Sequence, residues 1–485
     1  MNVGSIRPPR QTIPTSSVAP TIAAAPRDTV EPRYNWNNRI AIKPRAFYEP
    51  SSEDEVCAIV KHERSVRCGG GLHSFNGAMA PDPTGAFIDM RRMNRIDKPV
   101  KHADGSVTVT AQAGCTLKQI GTYLRGLGLA LENLPTSADI TLGGAIANGV
   151  HGSGLTSPAV LAEQVVGMTT VNSAGEKVTV AEADLPLYRI NMGLLGVTTS
   201  FTLRVVPDFD LVIADDAVTG EDEVIARLEP SRLRREVSQF QSATYLIDFN
   251  LEDPAATRLR RNLLVKVTDE NRSEIEARKL PRKEDYDLPP ETVRRAYQQA
   301  FEAAAAGGTS ARGKELSRKI RGGFAQPKEP RIGRSSLMYQ IWLDLPAHDV
   351  SYGVPFEKAQ EAFKRVMTEL RSLGYEAMVP LSMRFLSGTD KTLMGMNSGR
   401  DVVSFELLTS TATDGKGGVL RPDVLAAQVA FERVMAEMGA RPHWGKEYDV
   451  SPRDRFAPEV WQRFADEAKR VGAKFKNAWS AAFTP

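Results

Sequence analysis

The sequence predicts an α+β fold in two modules, followed by a C-terminal segment. In the first module, from Tyr34 to about Asp210, short strand patterns alternate with short helix patterns, and Pro207 marks its end. In the second, about residues 211–440, predicted strands pair around predicted helices, which is typical of an α+β unit. At 485 residues the chain has room for two or three domains, each with its own core.

Capping residues and periodicity predict the elements of the first module. A helix begins within Ser51–Val56, where a serine N-cap precedes early carboxylates, and a second runs from Leu117 to Leu127 and is closed by Gly128. The predicted strands are Val66–Cys68, Ala86–Asp89, Val107–Ala111, Val165–Val171 and Val178–Val180. Asn172–Gly175 is predicted as the hairpin turn between the last two strands.

The second module differs from the first in its charge density and in its predicted elements. Residues 268–334 are dense in charge and contain one clear helix, which follows Pro290, ends at Gly307-Gly308 and places five apolar residues on one face: Val293, Tyr297, Ala300, Phe301 and Ala304. Strands are predicted at Ser336–Leu345, Ala377–Leu386 and Asp401–Leu408, with a helix at Phe356–Leu373. A final helix carries an apolar stripe that we interpret as core: Trp461, Phe464, Ala468, Val471, Phe475 and Ala478.

Composition excludes several classes of protein. With 62 basic and 59 acidic residues the net charge is only +3, so charge predicts attraction neither to nucleic acid nor to membranes. Three cysteines without Cys-x-x-Cys or Cys/His spacing predict no disulfide framework and no metal site, and favour a reducing, cytoplasmic location. No apolar run approaches the ~20 residues of a membrane span, so we expect a soluble protein.

The first 32 residues are rich in Pro, Ser, Thr and Ala and have no aromatic residue. Such a segment buries too little apolar surface to offset its ordering entropy, and we therefore expect a disordered tail. An organelle transit peptide shares the acid-poor, Ser/Thr-containing composition, but the prolines argue against the amphipathic helix that such a peptide forms.

Two glycine runs that each lead into a histidine predict a cofactor site. The first is Val66–Gly77, in which Gly69-Gly70-Gly71 precedes His73, and the second is Ile140–Gly154, which leads into His151. Consecutive glycines let backbone N–H groups approach an anion such as a pyrophosphate. Either run alone is a weak signal, but together they indicate two halves of one cradle.

These runs, with segments at Tyr48–Val56, Ile88–Ile96, Gly193–Thr198 and Arg441–Lys446, resemble the flavin-dependent oxidases of the vanillyl-alcohol oxidase and p-cresol methylhydroxylase superfamily, in its aldonolactone oxidase and alditol oxidase branch. The resemblance implies an FAD-binding domain of the superfamily's two-part type at 33–210. It further implies a substrate (cap) domain with an antiparallel sheet at 211–440, and a segment at 441–485 that returns to the flavin. The charged helical segment 268–334 and the tail at 1–32 lie outside the resemblance.

The resemblance implies FAD as cofactor, bonded covalently through His73. A bond from histidine to the flavin 8α-methyl carbon would raise the flavin's potential; a histidine that only packs on the ring is the alternative. Residues 131–148 contain no cysteine, so at most one linkage is expected. The residues that match the family's cofactor positions are Cys68, Gly69, Gly70, Gly71, Leu72, His73, Ser74, Gly114, Ser137, Gly143, Gly144, Asn148, Gly149, His151, Gly152, Ser153, Val197 and Lys446.

For chemistry, the resemblance assigns Lys446 to the flavin N1 region, where an ammonium stabilises the charge of reduced flavin. Sugar-oxidising relatives present Glu-x-Arg on a strand, and this chain has Ser382 and Arg384 there, so the carboxylate is missing. Strand periodicity puts Ser404 and Glu406 on one face of the next strand. We hypothesise that Glu406 reaches Arg384, the alternative being a solvent-facing glutamate. The residues assigned to the catalytic site are Lys446, Arg384, Ser382, Glu406, His443 and Thr136.

The function implied is oxidation of an alcohol-type carbon of a sugar-like or natural-product substrate, with dioxygen as acceptor. Pro135 occupies the position where family oxidases tend to carry Gly or Pro, which favours oxygen slightly. A dehydrogenase with another acceptor, or oxidative C–N or C–C chemistry, is the nearest alternative. A non-catalytic flavoprotein that acts through partners by its 268–334 segment is a remote one. The oligomeric state is left open.

Overall fold

The computed structural model describes residues 32–286, 290–340, 347–410 and 420–481. The predicted disordered tail therefore lies, apart from its last residue, outside the described residues. None of the helices in the described part of the chain combines the length and the apolar composition that crossing a membrane requires.

The first module mixes short strands with short helices. Its strands are β1 Arg33–Tyr34, β2 Ala41–Ile42, β3 Ala46–Tyr48, β4 Val66–Gly69, β5 Ala86–Asp89, β6 Val100–Lys101, β7 Val107–Gln112, β8 Leu129–Ala130, β9 Val165–Val171, β10 Lys177–Thr179 and β11 Val197–Pro207. Its α-helices are α1 Glu53–His62, α2 Leu117–Gly126, α3 Leu142–Ala147 and α4 Leu185–Tyr188.

Two sheets organise this module. Strands β3, β5 and β4 form a parallel sheet, and β10, β9, β11, β7 and β6 form an antiparallel one, with β8 paired to β11. The predicted caps are confirmed: the Ser52 side chain accepts from the backbone N–H of Glu55 at the start of α1, and Gly128 follows α2 with φ +68°. The predicted hairpin at 172–175 is confirmed by antiparallel pairing of β9 with β10.

The second module and the C-terminal segment contain the longer elements. The strands are β12 Asp210–Ile213, β13 Asp216–Thr219, β14 Ser242–Asp248, β15 Arg258–Lys266, β16 Arg282–Lys283, β17 Ile332–Arg334, β18 Ala347–Pro355, β19 Leu381–Leu386, β20 Val402–Ser410 and β21 Arg441–Pro442. The α-helices are α5 Glu221–Arg227, α6 Pro230–Val237, α7 Arg272–Ala277, α8 Glu291–Gly307, α9 Ala311–Phe324, α10 Ser335–Tyr339, α11 Ala359–Leu373, α12 Pro422–Glu437, α13 Pro458–Val471 and α14 Ala478–Ala481.

One large sheet carries this module, in the order β16-β17-β12-β15-β14-β19-β20-β18-β21, with β13 paired to β15. Its pairs are antiparallel except β16 with β17. Alternate residues of the central strands are buried in one core with α11 and α12, among them Tyr245, Met383 and Phe405. Because successive side chains point to opposite faces of a strand, the polar residues between them face the other way.

Three predictions for this module are corrected. Residues 336–339 of the predicted strand Ser336–Leu345 lie in helix α10, residues 341–346 lie outside the described residues, and the strand begins at Ala347. A run of consecutive buried apolar residues does not distinguish a helix from a strand, which explains the error. Strand β19 begins at Leu381 instead of Ala377, directly after Pro380, which has no N–H to donate. On α8, Phe301 and Ala304 are buried, but Val293 and Tyr297 are 39% and 44% exposed.

The C-terminal segment packs back onto the first module. Trp444, Phe456, Trp461 and Phe464 belong to the same core as α1, α2 and the antiparallel sheet. The predicted apolar stripe is confirmed from Trp461 to Phe475, although α13 ends at Val471, before Gly472. Ala478 is exposed and does not belong to that core.

Candidate active site

A cavity of about 790 Å³ lies between the glycine runs of the first module and the polar face of the large sheet. Its walls combine residues that are far apart in the sequence: the loop after β4, the segment around α3, strands β14, β15, β19 and β20, and the turn at His443–Lys446. The first module alone therefore does not enclose it.

The first glycine run forms one wall, and it touches the second run directly. A side chain at Gly70 would place its Cβ 2.6 Å from Thr141 Cγ2 and 2.8 Å from Thr141 Cβ, closer than real atoms approach. Thr141 is the N-cap residue of α3, and its hydroxyl accepts from the Gly71 N–H at 3.4 Å. The two runs therefore meet at Gly70, as the sequence predicted for halves of one cradle.

We expect Gly70→Ala to yield a folded protein that has lost most of its bound flavin, because the added methyl group forces the two runs apart. The measurement is the flavin-to-protein absorbance ratio of purified protein, with circular dichroism to verify folding. Gly126→Ala is the matched control, since a Cβ there meets nothing within 4 Å. Equal flavin content in both variants would contradict the close packing of the cradle.

His73 lies at the end of the first run and stacks on Trp36, with ring centroids 6.0 Å apart. The backbone N–H of Trp36 donates to Leu72 O at 3.0 Å, which fixes the tryptophan against the loop. Leu72 itself has φ +56°, an uncommon conformation for a leucine, and it turns the chain so that His73 faces the cavity.

The first run is also tied to the turn that carries Lys446. Asn76 Nδ2 donates to the carbonyl oxygens of Trp444 at 2.8 Å and Lys446 at 2.7 Å. The Phe75 N–H donates to Gly445 O at 2.9 Å, and Lys446 Nζ lies 4.6 Å above the Phe75 ring. Lys446 is thereby held beside the first glycine run, although 370 residues separate it from Asn76.

Two buried histidines face the cavity, and burial favours the neutral form of both. His151 Nδ1 donates to Gly152 O at 2.9 Å, which leaves Nε2 as an acceptor, and burial lowers the pKa of His151 to about 4. His443 Nδ1 accepts from the Gly445 N–H at 3.0 Å, and burial lowers the pKa of His443 well below its usual value. Their rings lie 5.4 Å apart.

The register of the large sheet brings the predicted charged residues together. Ser382 on β19 is paired with Glu406 on β20, and Arg384 with Ser404. Arg384 Nη2 lies 3.7 Å from Glu406 Oε2, and Glu406 Oε1 lies 3.2 Å from Lys446 Nζ. Glu406 therefore lies between two cations inside the cavity and does not face solvent.

Asp349 on β18 completes this charged network. Its Oδ2 accepts from Lys446 Nζ, while its Oδ1 is buried without a hydrogen-bond partner within the described residues. Burial and the neighbouring Glu406 carboxylate raise the pKa of Asp349 well above its usual value, although the Lys446 ammonium opposes the rise. Burial also acts to raise the pKa of Glu406, but Lys446 and Arg384 outweigh it and hold that pKa well below its usual value.

Most residues predicted for the site line the cavity. These include all six assigned to the catalytic site, among them Thr136, and fifteen of those assigned to the cofactor, from Cys68 to Lys446. Gly114, Gly149 and Val197 do not. Gly114 lies against the backbone of Met90, so that a Cβ atom at Gly114 would be 2.7 Å from the Met90 carbonyl carbon. Gly149 packs on the Ile190 side chain, and Val197 is buried in β11. Within the described residues no group of three or more His, Cys, Asp or Glu could hold a metal.

Three further residues of the cavity wall, Asp349, Arg67 and Thr141, are not among those predicted from the sequence. Asp349 was not predicted because the strand that precedes α11 was predicted at Ser336–Leu345, whereas it begins at Ala347. Strand periodicity, which would have put Asp349 on the polar face of the sheet, was therefore not applied to it. Arg67 lines the cavity and donates to Gly193 O at 2.9 Å, Met192 O at 2.7 Å and Phe475 O at 2.6 Å. No short-range pattern signals such a link between distant segments.

Comparison with known families assigns the chain. The family described as "FAD binding domain" matches residues 44–181, and the family described as "D-arabinono-1,4-lactone oxidase" matches residues 265–479. The chain therefore combines an FAD-binding domain with a region that is similar to D-arabinono-1,4-lactone oxidases. It is an FAD-dependent oxidoreductase. The second match encloses the charged segment 268–334, which corrects the expectation that this segment lies outside the resemblance.

Relatives in this branch include oxidases and a dehydrogenase. The chain is 31% identical over 199 residues to a D-arabinono-1,4-lactone oxidase of Saccharomyces cerevisiae, which covers 39% of this chain but only 37% of the yeast protein. It is 25% identical over 458 residues to an L-gulono-1,4-lactone dehydrogenase of Mycobacterium tuberculosis, covering 90% of this chain and 95% of that one. A solved cholesterol oxidase from Brevibacterium sterolicum superposes with a TM-score of 0.71 at 15% identity, over 98% of this chain and 100% of that one. That likeness shows the fold.

The residues of the cavity fit FAD. The closely packed glycines leave backbone N–H groups that a pyrophosphate can approach. Asn148 Oδ1 and Arg384 Nε belong to residues of the cavity wall and have no hydrogen-bond partner among the described residues, which suits a polar ligand. The Lys446 ammonium supplies a fixed positive charge on the same wall.

Proposed function

We propose that this protein oxidises an alcohol-type carbon of a sugar-like or natural-product substrate and passes the electrons to dioxygen. The observation that carries the proposal is the Arg384–Glu406–Lys446 cluster, which faces a cavity walled by the flavin-binding glycine runs. In this proposal residues 33–210 hold FAD, 211–440 form the substrate side and 441–485 return Lys446 to the flavin. The free cysteines support a reducing, cytoplasmic location.

In this reaction the carbinol C–H bond gives up a hydride, the hydroxyl gives up a proton, and a carbonyl forms. FAD, when bound, supplies the hydride acceptor and the route by which two electrons and two protons convert dioxygen to hydrogen peroxide. Glu406, held ionised, accepts hydrogen bonds from substrate hydroxyls, and Arg384 donates to substrate oxygens. Thr136 and Ser382 supply further hydroxyls that can hydrogen-bond the substrate. Lys446 provides a positive charge beside the position where negative charge would accumulate on reduced flavin.

Asp349 is the residue of the network best placed to hold the released proton, because general bases work best with a pKa near the working pH. Its raised pKa means that Asp349 is protonated at acidic pH and becomes ionised as the pH rises. His151 and His443 stay neutral across this range, and Glu406 stays ionised, so none of the three adds a transition there.

We therefore expect the rate of flavin reduction to rise with pH through an inflection that lies well above the usual range of a carboxyl group, since the ionised form of Asp349 is the active one. Stopped-flow reduction between pH 5.5 and 9 measures the profile. Asp349→Asn should be slow and should lack the inflection. An inflection that survives in Asp349→Asn would assign the proton to another group.

Covalent attachment through His73 is a part of this proposal. Its support is the position of His73 at the end of the first glycine run, on the cavity wall and stacked on Trp36. A histidine so placed can bond to the flavin or pack on it, and chemical release of the cofactor distinguishes the two.

The second candidate function is a dehydrogenase that uses an acceptor other than dioxygen. The name of the Mycobacterium tuberculosis relative favours it, whereas Pro135 on the cavity wall favours the oxidase. Oxygen consumption, peroxide release and dye reduction, measured with D-arabinono-1,4-lactone, L-gulono-1,4-lactone and alditols, decide between the two. Turnover with dye in the absence of oxygen uptake would overturn the oxidase.

A further inference from the structure

The end of the cavity farthest from Glu406 is lined by a second set of cations. Arg260 on β15, Lys283 on β16, and Lys328 and Arg331 of the charged segment all belong to the wall. Over the described residues, the acidic side chains of the wall are Asp349 and Glu406, and both lie in the network around Lys446. The two ends of the cavity therefore differ in charge.

The sheet register fixes how far apart these ends are. Glu406 is paired with Ser382, Ser382 with Leu246, and Leu246 with Arg260, which makes one row across four neighbouring strands. All four residues line the cavity. Three strand spacings separate Glu406 from Arg260, a distance of about 14 Å at ~4.8 Å per spacing.

One buried carboxylate, Asp215, serves this end but does not line the cavity. Its Oδ2 accepts from Arg260 Nε at 2.9 Å and from the backbone N–H of Lys328 at 3.1 Å, and its Oδ1 accepts from Asn262 Nδ2 at 2.9 Å. Asp215 thus forms a buried ion pair with Arg260 and positions it, and it makes no hydrogen bond to the Lys328 ammonium. Within the described residues Lys328 Nζ has neither a hydrogen bond nor an ion pair.

The charged form of Lys328 is destabilised by its surroundings. The pKa of Lys328 is lowered to about 8, first by burial and then by the positive charges of Arg260 and Arg331. The Asp215 carboxylate raises this pKa, but by less than either arginine lowers it. Like charges collected at one end of a cavity are stabilised when an anion binds between them, and lysine and arginine are the residues that phosphates and carboxylates prefer.

Ser382 lies in the row between the two ends. A larger, acidic side chain at this position would narrow the path along the sheet face and repel an anion. The serine side chain presents neither obstacle.

We propose that the end of the cavity lined by Lys328 and Arg260 is an anion subsite, and that the substrate carries a phosphate or carboxylate group about 14 Å, or three strand spacings, from the oxidised carbon. This substrate is longer than a single sugar ring. The inference rests on the proposed function for the identity of the oxidised end, but the subsite is testable by itself.

The test is calorimetric titration of the holoprotein, whose flavin cradle is filled, with inorganic pyrophosphate and with citrate at low ionic strength. We expect saturable binding to the wild type, weakened about tenfold in Lys328→Met through loss of a charge-assisted contact. Lys328→Arg should retain binding. Lys319→Met, which alters an exposed lysine of α9 outside the cavity, should match the wild type. The stronger of the two probes identifies the group as phosphate or carboxylate.

Absence of saturable binding to the wild type, or equal binding to Lys328→Met, overturns the subsite. Flavin reduction by neutral lactones and alditols is measured on the same samples. Flavin reduction without anion binding would contradict the subsite and leave the proposed function intact. Anion binding without flavin reduction by any neutral or anionic candidate would contradict the proposed function and leave the subsite intact.

Discussion

Lys446→Met lowers the rate of flavin reduction by about 10²–10³-fold, the range found when one group that stabilises developing charge is removed from an active site. The ammonium is in contact with Asp349, lies 3.2 Å from Glu406 and sits above the Phe75 ring. Its removal takes positive charge from the cavity wall and leaves two buried carboxylates without their shared cation. Single-turnover reduction under anaerobic conditions measures the rate.

The same variant also loses stability, because removing one partner of a buried ion pair costs roughly 3–5 kcal/mol. Thermal unfolding separates this effect from the chemical one, and Lys446→Arg, which keeps the charge, should retain most of the stability. Lys469→Met on the exposed face of α13 is the control for loss of a lysine as such. A reduction rate within twofold of the wild type in Lys446→Met would refute the role assigned to Lys446.

His73→Ala releases all of its flavin on denaturation, whereas the wild type retains it. The proposed histidyl bond survives acid and detergent, and the variant has only noncovalent contacts left. In-gel flavin fluorescence after acid denaturation gives the result directly. We also expect slower substrate oxidation, because a covalent link raises the flavin's potential.

His102→Ala is the matched control, since His102 lies outside the cavity, with Nε2 2.8 Å from Thr108 Oγ1. It should keep its fluorescent band. A fluorescent band that persists in His73→Ala would move the linkage elsewhere, and a wild type without fluorescence would leave His73 as a residue that packs on the ring.

The cofactor side of the site could be predicted because its signals are local. Gly70 and Gly143 lie in short runs where the absence of a side chain is visible in the sequence, and each run ends in a histidine that lines the cavity. The Arg441–Lys446 turn is equally local. The structure adds the contact between the runs, in which Gly70 packs on Thr141.

The substrate side could be predicted only in part. Periodicity placed Ser382, Arg384 and Glu406 on polar faces, but the neighbours of a strand depend on sheet order and register, which are nonlocal. The pairing of Arg384 and Glu406 was therefore a hypothesis until the register of β19 and β20 placed them 3.7 Å apart. Asp349 was missed because one strand was assigned too early along the chain.

The position of the charged segment 268–334 was likewise not predictable from its own sequence. Its composition suggested a surface for partners, yet Tyr297, Phe324, Lys328 and Arg331 line the cavity. Charge density in a sequence does not reveal whether the charges face solvent or a ligand. That distinction came from the placement of the segment against β15, where Arg260 Nη1 donates to Phe324 O at 2.8 Å.

Anaerobic mixing of the yellow holoprotein with a panel of substrates tests the proposed oxidation directly. The panel contains the lactones for which the relatives are named, alditols, and phosphorylated or carboxylated derivatives of both. We expect that at least one compound bleaches the flavin and that air restores the colour with release of one hydrogen peroxide per flavin. Bleaching by dithionite but by no member of the panel would contradict the proposed oxidation and favour a flavoprotein without catalytic turnover.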